Sequence, residues 1–197
     1  MFALRKPSAE TPAEGAGGGL AAAIARINRA PAAVDPDASG KGPGIVGACE
    51  EALAVLAEAQ DVLAQASACV REAAQHVITA ASADDAERAL LAERYDDARR
   101  GVEAALDAAS EGALSLLRPG AERLSVHLTG AVYAVAPFPL SVDEYGLDLP
   151  PPQHGFVSHA EVADTLRRVE VALERIGRAK AVYEEDAAFL RRRAARG

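Results

Sequence analysis

Histidine and cysteine are the residue types in this chain that could bind a metal or act as nucleophiles, and they are few. Two metal ligands on a helix stand four residues apart, so that both side chains leave from one face. His154 and His159 do not have this spacing, and neither cysteine has a second cysteine or a histidine at a ligand spacing. We therefore predict no metal, no cofactor and no catalytic residue. The full set is His76, His127, His154, His159, Cys49 and Cys69.

The two cysteines are not expected to form a disulfide. Cys49 and Cys69 fall in one helical segment, where 20 residues correspond to about 30 Å of axial length. Small thiols are common in alanine-rich cores, so a structural role is predicted for both.

Glycine-rich and charged stretches also lack the pattern of a catalytic or binding motif. Residues 15–20 (GAGGGL) and 39–44 (SGKGPG) do not fit a dinucleotide-binding or phosphate-binding loop, because no strand precedes them. Residues 191–196 (RRRAAR) suit the last turn of a helix, where cations meet the free carbonyls, although a basic patch for an acidic partner is the alternative. No carboxylate lies in an apolar setting that would prepare it for acid–base catalysis. The sequence therefore predicts a protein that is not an enzyme.

Composition limits the class of partner. Half of the 197 residues are hydrophobic, but only 4% are aromatic, and the net charge is −8. An acidic surface repels phosphate, so we expect no nucleic-acid partner. No run of 18 apolar residues is present, so we expect no membrane span, and the N-terminus lacks the apolar core of a cleaved signal peptide.

The chain divides into a tail and a helical region. Residues 1–44 are rich in Gly, Pro and Ala and are predicted to be a disordered tail with a possible short helix at 20–30. From Ile45 to Ala81 apolar residues recur every three or four positions, which predicts a long helix. Ser82 is the expected cap of a second helix, which Gly112 would end.

The period then changes to two. Leu124, Val126 and Leu128 alternate with polar residues, and Thr129-Gly130 can turn the chain, so a hairpin is predicted at 123–136. A proline-rich stretch follows. Ser158 and Glu161 have the spacing of a capping box, and an apolar seam with steps of three and four then runs to Leu190.

These elements predict a mainly α fold, an elongated antiparallel bundle of three long helices with a small β-hairpin between the second and third, over residues 45–193. The helices are expected to pack along apolar seams, which are the predicted packing and interaction residues. The seam residues are Leu53, Leu56, Leu63, Val70, Leu90, Tyr95, Val102, Leu106, Leu166, Val169, Leu173, Ile176, Tyr183 and Leu190.

Residues 82–128 resemble the core of bacterial flagellin, and the order of short motifs extends the resemblance over about residues 45–193. It does not include the long terminal helices that form the inner tube of the filament. The motifs are Val70-Arg71-Glu72-Ala73, Glu87-Arg88-Ala89-Leu90, Arg94-Tyr95-Asp96, Gly112, Leu116-Leu117 and Leu124-Ser125-Val126.

The resemblance implies a divergent or truncated structural subunit of the bacterial flagellar filament, exported to the flagellum without a cleaved signal peptide. Its partners would be other flagellin-type subunits or the flagellar export chaperone, and self-assembly is left open. The alternative is a cytoplasmic regulatory or interaction protein that keeps the flagellin core and binds flagellin or its chaperone. A third hypothesis, an unrelated helical adaptor, predicts no sheet between residues 123 and 136.

Overall fold

A computed structural model describes residues 44–196. These residues are mainly helical and carry one small antiparallel sheet of two strands. The predicted tail and its helix at 20–30 lie outside the described residues, except for Gly44. The elements are α1 (Ile45–Ala80), α2 (Asp85–Asp107), α3 (Glu111–Leu117), β1 (Leu124–Leu128), β2 (Ala131–Val135) and α4 (His159–Ala194).

Helix α1 is the element on which the other helices pack. Its buried residues recur every three or four positions and include Leu56, Leu63 and Val70, none of which is exposed. Both α2 and α4 pack against α1 far more than against each other. The core therefore forms along the buried stripe of α1, where α1 meets the other two long helices.

Helix α1 is also the one described helix that is long and apolar enough to cross a membrane, judged by length and composition alone. The helix at the centre of a packed fold passes the same test, because its buried face must be apolar. Length and composition therefore do not distinguish a membrane-spanning helix from a helix at the centre of a packed fold. The packing of α1 against α2 and α4 buries 39% of its most apolar 18-residue window.

Helix α2 begins two residues later than it would if Ser82 were its N-terminal cap. Asp84 is the cap, and its carboxylate accepts a hydrogen bond from the Glu87 N–H at 2.9 Å. The Ser82 hydroxyl instead donates to the Thr79 carbonyl at the end of α1. The predicted cap at Ser82 is wrong because Asp84 is the residue with the extended backbone that a cap requires.

The end of α2 was also predicted wrongly. The helix ends at Asp107, and Gly112 lies inside α3, a short helix that the sequence did not predict. Ser110 caps α3 by accepting from the Ala113 N–H, and its hydroxyl donates to Glu58 on α1. A Cβ at Gly112 would lie 2.7 Å from Glu58 Oε2, so Gly112 provides room for this carboxylate rather than a helix end.

Strands β1 and β2 pair with Leu124 opposite Val135 and Leu128 opposite Ala131. Thr129 and Gly130 form the turn, and Gly130 has φ +73°, which glycine adopts without strain. Val126 and Val135 are buried, whereas His127 is exposed. The strands follow α3, so the hairpin does not connect the second and third helices directly.

The irregular segment of residues 136–158 fills the space between α2 and α4. Leu147, Leu149 and Phe156 are fully buried there. The ring centroid of Phe156 lies 5.5 Å from that of Tyr95 on α2. A loop therefore supplies part of the core that the sequence interpretation assigned to the three helices.

Helix α4 begins as predicted at Ser158, whose hydroxyl accepts from the Glu161 N–H at 3.1 Å. In a full capping box the Glu161 carboxylate would accept a hydrogen bond from the backbone N–H of Ser158. Here it accepts from the His154 N–H instead. Three arginines, Arg191, Arg192 and Arg193, occupy the last turn, where they face the free carbonyls of the helix end.

Candidate interaction surface

Most of the predicted seam residues pack inside the chain. Nine are buried, namely Leu56, Leu63, Val70, Tyr95, Val102, Val169, Ile176, Tyr183 and Leu190, and four are half-buried, namely Leu53, Leu106, Leu166 and Leu173. Residues buried in this way hold the fold together and are not free for a partner.

Leu90 is the exception, and its assignment to the packed face of α2 is wrong. It is 47% exposed, whereas the buried face contains Arg88, Leu91 and Tyr95. One residue turns a helix by about 100°, so Leu90 and Leu91 cannot both face α1. The buried Arg88 forms an ion pair with Asp85.

Tyr95 joins α2 to the irregular segment. Its hydroxyl donates to the Pro150 carbonyl at 3.0 Å, and burial raises the pKa of Tyr95 to about 12. On the opposite side, Arg168 of α4 forms ion pairs with Asp148 at 2.6 Å and Asp164 at 2.8 Å. The hydrogen bond to Arg168 is the largest cause of the lowered pKa of Asp164. These contacts tie residues 148–150 to both helices.

Tyr133 joins the hairpin to α4. Its ring stacks on Phe189 with the centroids 4.3 Å apart, and its hydroxyl donates to Asp186. Desolvation, followed by that hydrogen bond, raises the pKa of Tyr133 to about 12. The hairpin is therefore attached to α4 through one aromatic side chain.

Tyr183 differs from Tyr95 and Tyr133 in the surroundings of its hydroxyl group. It is 1% exposed, and its hydroxyl has no hydrogen-bond partner among residues 44–196. The backbone N–H of Phe138 lies near it but donates to the Leu116 carbonyl at 2.8 Å. Burial raises the pKa of Tyr183 to about 12.

The histidines and cysteines are dispersed. Cys49 is buried and Cys69 half-buried, and burial, followed by the charge of Glu72, raises the pKa of Cys69. His127, His154 and His159 are exposed. Within the described part of the chain, no group of three or more histidine, cysteine or acidic residues could hold a metal ion.

The outer side of α4 carries a second pattern that the sequence interpretation missed. Arg167, Val171, Arg175, Arg178 and Val182 recur every three or four residues and form what we call the outer stripe. Val171 and Val182 are 45% and 46% exposed. The residues of the outer stripe form a second row at helical spacing in the sequence, beside the more apolar row that is buried.

Two surface depressions border the outer stripe. One, of about 310 Å³, is lined by Pro137 and Phe138 together with Arg175 and Val182. The other, of about 250 Å³, is lined by residues that include Leu147, Asp148 and Val171. Together they give α4 a concave, largely apolar border along the side that faces the irregular segment.

No protein-family model matches the chain, and no curated protein matches it.

Proposed function

We propose that this chain is a non-enzymatic structural protein of flagellin type, a divergent subunit associated with the bacterial flagellar filament. The observation that carries the proposal is the order of elements over residues 45–194, which is two long helices, the short helix α3, a short antiparallel sheet and a third long helix. An unrelated helical adaptor would have no reason to place a sheet between residues 123 and 136.

The positions of the quoted motifs support the same proposal. Arg94-Tyr95-Asp96 lies in the middle of α2, Leu116-Leu117 ends α3, and Leu124-Ser125-Val126 begins β1. Tyr95, Leu116 and Leu117 are fully buried, so the motifs contribute side chains to one core. Long helices packed through buried seams leave their outer faces for lateral contacts, which is how such a subunit would dock in an elongated bundle.

A cytoplasmic interaction protein that binds flagellin or its export chaperone is the second candidate. The presence of Cys49 and Cys69 as free thiols favours it, since cysteines are unusual in exported flagellins. A reducing cytoplasm keeps such thiols free.

Affinity purification from a motile bacterium that carries this chain tests the proposal. The tagged full-length chain should enrich flagellin or the flagellar export chaperone over the tag alone. A flagellin-deletion strain separates direct capture of the chaperone from capture through flagellin. If neither protein is enriched from either strain, the proposal is wrong.

Light scattering of the purified chain separates the two candidates further. Concentration-dependent growth to long assemblies supports a filament subunit. A monomer at every concentration favours the interaction protein.

A further inference from the structure

We propose that residues 150–157, which we call the strap, open as a local unit while the helices stay folded, and that burial of the Phe156 ring is the contact that keeps the strap closed. The open form would uncover the side of Tyr95 on α2 that Phe156 covers. The strap is therefore a conformational device within the irregular segment. This inference does not depend on the flagellin-type proposal, because it is argued from contacts within residues 44–196.

Few hydrogen bonds hold the backbone of the strap. The Pro150 carbonyl accepts from the Tyr95 hydroxyl at 3.0 Å, and the His154 N–H donates to the Glu161 carboxylate at 3.1 Å. Within residues 44–196, no backbone–backbone hydrogen bond involves the strap, and three of its eight residues are prolines, which have no N–H to donate. Opening therefore breaks two hydrogen bonds to side chains and no part of a helix or strand.

The chain on either side of the strap is held by its own hydrogen bonds. The Leu147 N–H donates to the Ser141 carbonyl at 2.7 Å, and the Leu149 N–H donates to the Val142 carbonyl at 2.8 Å. At the other end, Ser158 caps α4. Local opening can therefore stop at Leu149 and Ser158 and leave the neighbouring elements in place.

Phe156 is the one buried residue of the strap. It is fully buried against Tyr95, with the ring centroids 5.5 Å apart, whereas Val157 beside it is 70% exposed. A cavity of about 230 Å³ lies between Gln153 of the strap and Thr165 of α4, so the strap is not packed closely on α4 there. Burial of a single aromatic ring is therefore the main contribution that keeps the strap closed.

The backbone of the closed strap is strained at the same place. Gly155 and Phe156 have φ of +63° and +59°, in the left-handed region. Glycine adopts this conformation without strain, but a residue with a Cβ does not, so the closed position of Phe156 is unfavourable for its own backbone. Opening releases this strain and therefore requires less free energy than the burial of the ring alone would indicate.

Proteolysis of the folded full-length chain tests the proposal, because chymotrypsin cuts after Phe156 only when that ring has left its pocket and the chain around it is extended. Every variant carries Tyr145→Ser, since Tyr145 is 76% exposed and would be a competing site. The readout is the initial rate at which the fragment that begins at Val157 appears, measured by mass spectrometry. Each rate is divided by that of the same cut in a synthetic peptide of residues 146–162 with the same substitution and the same urea concentration.

The dependence of this rate on urea distinguishes local from global opening. Below the unfolding transition, the rate should change by less than about twofold per 1 M urea, because opening of the strap exposes little surface. Cutting that required global unfolding would instead become faster by at least about fivefold per 1 M urea.

Gly155→Ala and Gly120→Ala are matched variants. Both glycines have positive φ, +63° and +78°, and nothing lies within 4 Å of the added Cβ at either position. Both changes should lower the stability in urea unfolding for the same reason. Only Gly155→Ala strains the closed strap, so it should raise the rate of cutting after Phe156 by at least about fivefold, while Gly120→Ala leaves that rate unchanged.

Tyr95→Phe provides a second test, because opening breaks the hydrogen bond to Pro150. It should raise the rate about threefold or more, whereas Tyr183→Phe should not change it. Three outcomes would overturn the proposal. They are no cut after Phe156 below the unfolding transition, a rate that rises with urea as steeply as global unfolding does, and equal effects of the two glycine variants.

Discussion

Gly101 of α2 lies against Cys69 of α1 so closely that a Cβ on Gly101 would be 2.9 Å from Cys69 Sγ. Real carbon–sulfur contacts are longer, so a larger residue at position 101 requires the Cys69 thiol to move or the two helices to separate. Helix α2 runs antiparallel to α1 here. Glu58, which precedes Cys69 on α1, accepts a hydrogen bond from Ser110, which follows Gly101 beyond the end of α2. The glycine therefore leaves room for the Cys69 side chain where the first two long helices meet.

Gly101→Ala is predicted to lower the free energy of unfolding by about 1 to 2 kcal/mol, because the new methyl group overlaps the thiol. The control is Gly177→Ala on α4, where nothing lies within 4 Å of the added Cβ. That change should instead stabilise the protein by about 0.5 to 1 kcal/mol, the ordinary gain from alanine in a helix. Urea unfolding of both variants measures the difference.

Cys69→Ala in the Gly101→Ala background should recover part of the loss, since it removes the sulfur atom. A double-mutant cycle with the two single variants gives the coupling. Equal stabilisation by alanine at positions 101 and 177, with no coupling to Cys69, would mean that α1 and α2 are further apart than described.

Tyr95 and Tyr183 form a matched pair for testing hydrogen bonds in the core. Tyr95→Phe is predicted to cost about 1 kcal/mol, because the Pro150 carbonyl loses its donor. Tyr183→Phe should be neutral or slightly stabilising, because its buried hydroxyl has no partner among the described residues. Equilibrium unfolding in urea distinguishes the two, and the reverse order of stabilities would contradict these assignments.

The raised tyrosine pKa values predict alkaline instability. Tyr95, Tyr133 and Tyr183 each have a pKa of about 12 in the folded chain, against 10.0 as the ordinary value. Their neutral forms are favoured by folding, so this contribution to stability is complete below pH 10 and is lost as the pH rises from 10 to 12.

Unfolding experiments at a series of alkaline pH values measure this loss. Tyr183→Phe removes one ionisable group and should make the loss less steep. A free energy of unfolding that stays constant to pH 12 would show that the three hydroxyl groups are not desolvated as the structure places them.

Ile176 and Val171 test which side of α4 is packed. Ile176 is fully buried, whereas Val171 is 45% exposed on the outer stripe. Ile176→Ala is predicted to lower the free energy of unfolding by about 2 to 5 kcal/mol, and Val171→Ala by about 0.5 kcal/mol or less. Similar costs at the two positions, measured by thermal or urea unfolding, would contradict the orientation of the helix.

Periodicity predicted α1 and α4 well because each buries one continuous stripe. The N-terminal cap at Ser158 could also be predicted, since Ser158 and Glu161, whose N–H its hydroxyl accepts from, are close in sequence. Leu90 could not be placed, because Leu90 and Leu91 are equally apolar. Leu91 is buried with Tyr95, whose partners Pro150 and Phe156 are more than 50 residues away in the sequence.

Helix α3 and the burial of the irregular segment were missed for a similar reason. Gly112 looked like a helix end, whereas its position depends on Glu58 on another helix. Within the irregular segment, Leu147 and Leu149 alternate over too few residues to indicate a strand, and Phe156 belongs to no periodic pattern, so local periodicity does not predict that they are buried. Contacts between distant elements decide these positions, and local patterns do not record them.

Fractionation of a flagellated bacterium that carries this chain tests the central claim, a flagellin-type protein of the flagellum, most directly. Sheared filaments, culture supernatant and cell contents would be probed for the chain in the parent strain and in a strain without flagellar export. The account predicts the chain in the filament or supernatant of the parent, and its retention in the cells of the export mutant. An unchanged distribution in the two strains, with the chain confined to the cell contents of both, would contradict it.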